Sequence, residues 1–203
     1  MIVFTPLDLP SIEPDNWDTF WSIWNEHSDW VVKRGISRTE SLTPVGANNV
    51  WRGLDIFSNN SMVPAWTAPY FDISASLPRM HEQLMNLGIP GVKLIRLLSS
   101  KCPFGAHTDD NRDIWVVRAM LHSTAPKPQW YFTRPKDPQG DRTYIQMPSD
   151  TNWFSYNDLH CWHGTEYDPN NEKILLQLYF YEPIIDIVNR SIEKYKDYTI
   201  SYD

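Results

Sequence analysis

From Gly91 onward the chain is a succession of short apolar runs, and this texture limits the fold more than any other feature. GVKLIRLL, IWVVRAML, QWYFT, TYIQM, NWFSY and KILLQLYFY are rich in β-branched and aromatic residues. Runs of that length and composition suit buried strands better than helices. Turn chemistry separates them: Ser99-Ser100-Lys101-Cys102-Pro103, Asp109 to Asp113, Pro135 to Gly140, Pro148-Ser149-Asp150 and Asp168-Pro169-Asn170-Asn171. Many short strands at close spacing, following helices, predict a β-sandwich or jelly roll with helices packed outside one sheet.

The first ninety residues read differently. Within residues 16–32, Trp17, Phe20, Trp21 and Trp24 fall at i, i+3, i+4 and i+7, one face of a helix capped by Asp15 or Asn16. Trp51 to Phe57 reads as a short strand, and the surroundings of Pro64 and Pro69 as irregular. Residues 77–87 form a second expected helix, closed by Gly88 and Pro90. No repeat or low-complexity linker divides the 203 residues, so a single domain is expected. It is mostly β with flanking helices: a helical and irregular part over 1–90, a core over 91–182, and a polar, partly helical tail over 183–203.

Charge and composition exclude several function classes. The net charge is −7, and the one local basic cluster, Lys33-Arg34 with Arg38, is too short to bind a phosphate backbone. No nucleic-acid partner is expected. The start, MIVFTPLDLPSIEPD, carries acids and prolines where a secretory signal has a basic region and an apolar core. No apolar stretch approaches the roughly 20 residues that span a bilayer, so no membrane partner is expected. Two cysteines, Cys102 and Cys161, do not make a disulfide framework. A cytoplasmic location is the expectation, and nothing in the sequence sets an oligomeric state.

The chemistry is concentrated in His107-Thr108-Asp109, a distant histidine, and Lys173. On a strand, residues i and i+2 share a face, so His107 and Asp109 can aim an imidazole and a carboxylate at one point. A second imidazole from a distant strand completes a two-histidine, one-carboxylate set, which suits non-haem Fe(II) and leaves positions open for a cosubstrate and dioxygen. The plainer reading makes Asp109 the start of an Asx turn into Asp110-Asn111. Asp110 has the wrong parity relative to His107. His160 and His163, three apart, face opposite ways on a regular strand. His163 is favoured, because Gly164 follows it and Lys173 lies ten residues on, whereas His160 sits at a turn after Asn157-Asp158-Leu159. His27 and His81 fall on the expected helices and suit the surface; His122, ending a strand, suits a pocket.

Fe(II) with one carboxylate and two neutral imidazoles leaves a net charge of about +1. A dicarboxylate such as 2-oxoglutarate, chelating through its keto-acid end, buries its far carboxylate, which then needs a cation. Lys173 and Arg118 are the two candidates. Lys173 opens the last strong run, where a solvated lysine is the plainer reading. Arg118 interrupts the apolar IWVVRAML, and a structural ion pair is its main alternative. Trp115, Trp130, Tyr131, Trp153 and Trp162 are numerous enough to line a pocket, although strand aromatics are more often core.

The stretch from HTDDNRDIWVVRAMLHST through NWFSYNDLHCWHGTEYDPNNEKILLQLYF resembles the Fe(II)- and 2-oxoglutarate-dependent oxygenases, and most closely their aspartyl/asparaginyl β-hydroxylase-like branch. The resemblance covers about residues 91–182. It implies a double-stranded β-helix core of cupin-like type, metal ligands His107, Asp109 and His163, and cosubstrate contacts from Lys173 and Arg118. It also implies a dioxygenase reaction in which 2-oxoglutarate and O2 are consumed, succinate and CO2 are released, and a substrate C–H bond is hydroxylated. Two departures stand out: Lys173 occupies the position usual for arginine, and Leu175 the position where a hydroxyl residue is often found. Some members of the branch lack the carboxylate ligand, whereas Asp109 is present. The substrate stays open between an aspartyl, asparaginyl or prolyl side chain of a peptide and a small molecule. Two rival readings are a cupin-like metal enzyme that does not use 2-oxoglutarate and a non-catalytic jelly-roll binding module.

Overall fold

The protein's computed structural model describes residues 1–33, 51–59, 66–100, 104–108, 115–124, 130–134, 137, 139–157, 161–166 and 173–203. In chain order the elements are β1 (Ile2–Pro6), α1 (Trp17–His27), β2 (Asp29–Trp30), β3 (Val32–Lys33), β4 (Trp51–Ser58), β5 (Trp66–Thr67) and α2 (Pro78–Met85). There follow β6 (Leu94–Ser100), β7 (Phe104–His107), β8 (Trp115–Ser123), β9 (Trp130–Phe132), β10 (Thr143–Tyr144), β11 (Trp153–Tyr156), β12 (His163–Thr165), β13 (Lys173–Phe180), α3 (Ile185–Lys194) and β14 (Ile200–Ser201).

An eight-stranded sheet runs β14-β1-β11-β8-β13-β6-β4-β2, and a four-stranded sheet runs β10-β9-β12-β7. From β6 to β13 the chain alternates between them: β6, β8, β11 and β13 lie side by side in the large sheet, and β7, β9, β10 and β12 make up the small one. That alternation, with antiparallel pairing throughout both sheets, is a double-stranded β-helix, the jelly-roll arrangement expected from the strand texture.

The large sheet is buried on both faces. Its outer face packs under the helices, where Leu54, Leu97, Val117, Ala119, Ile174, Leu176, Leu178 and Phe180 meet Phe20, Trp24, Met80 and Leu84. Its inner face meets the small sheet through Phe4, Phe154, Tyr156, Leu98 and Leu175 against Trp130 and Phe132. The period-two alternation of KILLQLYF divides β13 between them: Ile174, Leu176, Leu178 and Phe180 go outward, and Lys173, Leu175 and Gln177 inward.

Several local expectations are corrected. The first helix stops at His27, short of residue 32, because Ser28 turns to extended backbone (φ −77°, ψ 146°) and Asp29 and Trp30 pair with Gly53 and Arg52. Asn16 caps it, its side chain accepting from the Thr19 N–H at 3.0 Å. Asp15 caps α2 instead, its carboxylate accepting from the N–H groups of Arg79 and Met80 at 2.9 and 2.8 Å. Residues 1–90 are more than helical and irregular: β1 pairs with β11 and β4 with β6, covering both edges of the β11-β8-β13-β6 half of the β-helix. Phe104–His107, outside the expected apolar runs, form β7.

Candidate functional site

His107 ends β7 and His163 opens β12, and the two are direct partners across that antiparallel pair. Their ring centroids are 4.5 Å apart. Opposite residues on paired strands leave the sheet on one face, so register alone brings together two imidazoles far apart in sequence. His163 is 2% exposed. Its Nδ1 lies 3.2 Å from the Cys161 carbonyl oxygen. A carbonyl only accepts, so Nδ1 carries the proton and the Nε2 lone pair is left for a metal. Asp109, the expected third ligand, lies outside the described residues, as does His160. Among the described residues no group of three or more His, Cys, Asp or Glu is arranged around one point.

Both expected cations are close by and buried. The Arg118 guanidinium lies 3.8 Å from the centre of the Tyr156 ring, and that ring is 4.7 Å from the His163 imidazole. Arg118 stands in a polar row across the inner face, where the cross-strand partners run Arg118, Gln177, Arg96 and Asp55. Arg96 grips Asp55 through Nε and Nη2 at 2.5 and 3.0 Å. Burial pushes the Asp55 carboxyl above the usual aspartate range, with the two bonds from Arg96 opposing.

Lys173 is 3% exposed, and its Nζ sits 5.9 Å from the centre of the Trp130 ring. It has no carboxylate partner among the described residues, and burial lowers its ammonium group to about 8. Trp130 Nε1 and Thr165 Oγ1 are also buried without a hydrogen-bond partner among the described residues. Each such group costs about 1–3 kcal/mol when left unmatched.

The chemistry of this donor set fits a divalent transition metal with an acidic chelating ligand. Paired imidazoles suit iron, zinc or copper, with the carboxylate of Asp109 as the sequence's further candidate. Two buried cations and two unmatched polar atoms form an environment that favours an anion.

Other expected residues are elsewhere. His122, expected in a pocket, packs against Trp17 and Trp21 of α1 at 5.6 and 5.1 Å. A register shift opposite Ile174 and Leu175 turns it toward the helices. His27 stacks on Phe71 at 4.2 Å. Trp153 belongs to the core under the helices, its indole donating to the Pro10 carbonyl, while Tyr131 lies beneath Arg142. Of the strand aromatics, Trp130 faces the site. Tyr156 and Thr165 were not singled out by sequence reasoning. Thr165 carried a usable signal, because it lies two residues after His163 on the same face of one strand.

No known family model matches the sequence, and no curated protein matches it. Among solved structures, the chain is similar to a 2OG-Fe(II) oxygenase family oxidoreductase from Burkholderia pseudomallei, at 10% identity over 85% of this chain and 95% of that one, with a TM-score of 0.42. It is also similar to a Trichoplax adhaerens prolyl hydroxylase in complex with a hypoxia-inducible-factor peptide, at 11% identity over 81% and 76%, with a TM-score of 0.44. The Escherichia coli ribosomal oxygenase YcfD matches at 14% over 88% of this chain and 55% of its own, with a TM-score of 0.33. The strand order within the two sheets, rather than these distant likenesses, carries the fold.

Proposed function

We propose that this protein is an Fe(II)- and 2-oxoglutarate-dependent dioxygenase of the aspartyl/asparaginyl β-hydroxylase-like branch, hydroxylating a C–H bond of a peptide or small molecule. The observation that carries this reading is the direct pairing of His107 with His163 on the inner face of the β-helix. In this reading His107, Asp109 and His163 hold the metal, and the Cys161 carbonyl keeps His163 in the tautomer that can ligate. Lys173 pairs with the distal carboxylate of the cosubstrate. Arg118, its guanidinium over the Tyr156 ring, supplies a second positive charge next to the metal.

Bound iron and 2-oxoglutarate would supply the oxidising power, with one atom of dioxygen entering the substrate and the other the succinate formed alongside CO2. The chain's own part is to bind, orient and exclude water. The apolar residues around the site, Phe132, Phe154 and Leu175, keep it dry. A cytoplasmic setting belongs to the same reading, in a chain whose two cysteines are too few for a disulfide framework. No helix among the described residues is long and apolar enough to cross a membrane.

Anaerobic titration with Fe(II) and then 2-oxoglutarate tests the reading. The visible charge-transfer band of the chelate is expected in the wild type and absent in His163→Ala. Metal binding with no response to 2-oxoglutarate would instead favour the cupin-like enzyme. Absence of metal binding would leave the binding module.

A further inference from the structure

Trp130 and Thr165 face each other directly across β9 and β12, so both side chains leave the small sheet on the face that carries His163. Trp130 is also the residue over which Lys173 reaches in from the large sheet. Lys173 thus meets a spot where the Trp130 indole N–H and the Thr165 hydroxyl are both buried without a partner among the described residues. The ammonium and the indole N–H can only donate, and the hydroxyl can donate as well. Leu175, the next inward residue of β13, is fully buried and offers no donor beside Lys173. A spot with donors on two sheets and no competing acid among its members matches a carboxylate, whose lone pairs accept several bonds at once.

Resting on the dioxygenase reading, we infer that Trp130 Nε1 and Thr165 Oγ1 join Lys173 in holding the distal carboxylate of 2-oxoglutarate. The anchor then spans both sheets, with the small sheet supplying the neutral donors that Leu175 cannot. Thr165 and His163 lie two residues apart on β12, so one short strand serves the metal and the far end of its cosubstrate.

Calorimetric titration of the Mn(II)-loaded full chain tests this, using 2-oxoglutarate and, in parallel, oxalate. Oxalate chelates a metal through two neighbouring carboxyl oxygens but has no distal carboxylate. Thr165→Val and Trp130→Phe are each expected to weaken 2-oxoglutarate about tenfold, the loss of one charge-assisted hydrogen bond. Both should leave oxalate binding unchanged, and Thr165→Ser, which keeps the hydroxyl, should bind 2-oxoglutarate like the wild type. Wild-type affinity for 2-oxoglutarate in Thr165→Val and Trp130→Phe would overturn the inference alone. So would an equal loss of both ligands, since a purely structural role predicts that pattern. A wild type that binds Mn(II) and oxalate but not 2-oxoglutarate would overturn the dioxygenase reading together with it. If Trp130→Phe fails to fold, the Thr165→Val and Thr165→Ser pair decides.

Discussion

The two faces of the large sheet are both buried, yet they are made of different material. The outer face, under the helices, is apolar along β13 and β8: Ile174, Leu176, Leu178, Val117 and Ala119. The inner face, on the same strands, buries Lys173, Gln177 and Arg118, with Arg96 and Asp55 beside them. Apolar burial contributes roughly 25 cal/mol per Å2, whereas buried charges rarely add stability. The outer face therefore holds the fold, and the inner face spends part of that stability on keeping polar groups where an anion and a metal can use them.

The largest effect expected from breaking this contrast comes from the buried ion pair. Arg96→Met leaves the Asp55 carboxyl buried without its partner and should cost about 3–5 kcal/mol in denaturant unfolding. Arg96→Met combined with Asp55→Leu should recover most of that loss. A double variant as unstable as the single one would show that the pair itself holds the sheet. On the outer face, Leu176→Ala removes a fully buried side chain and should cost about 2–5 kcal/mol while leaving Mn(II) and 2-oxoglutarate affinities unchanged. Altered affinity there would mean that the two faces are not separate in function.

Lys173→Met should act in the opposite sense. The folded state holds the Lys173 ammonium at about 8, against 10.5 for the unconstrained group. The unfolded chain therefore binds the extra proton between those values, so the lysine's stability penalty is full below pH 8 and fades as pH rises to 10.5. The methionine variant should be more stable by ~3 kcal/mol at pH 7, converge on the wild type near pH 10.5, and bind 2-oxoglutarate poorly. A stability difference that does not change with pH would overturn this account. The smallest effect belongs to Asn16→Ala, which removes the α1 cap at a cost of about 1 kcal/mol and should leave ligand binding intact. Thermal unfolding monitored with and without Mn(II) checks both parts.

Much of the architecture was legible from local pattern. The runs beginning at Leu94, Trp115, Trp153 and Lys173 became strands of the large sheet because β-branched and aromatic residues fit a pleated, buried surface. The aromatic face of α1 was legible too, although its end was not, since pairing of Asp29 and Trp30 with β4 overrides the helical pattern there. The side to which His122 turns was not legible, because the extra residue at Leu121 in β8 is set by pairing with Ile174 and Leu175 of β13 and not by the local sequence. The same holds for β1, an unremarkable IVFTP that gains its place only by pairing with β11.

For the site, the residue types and parity in His107-Thr108-Asp109 and HGT are local facts, and the sequence by itself determined which side chains can share a face. It also determined that a lysine opens the last long strand and that an arginine interrupts an apolar one. Only the tertiary structure decided that β7 lies beside β12 with His107 opposite His163, that Thr165 meets Trp130, and that Arg118 rests on Tyr156. Side-chain alternation follows from the geometry of a single strand. Pairing between strands remote in sequence is selected by burial and hydrogen bonding across the whole molecule.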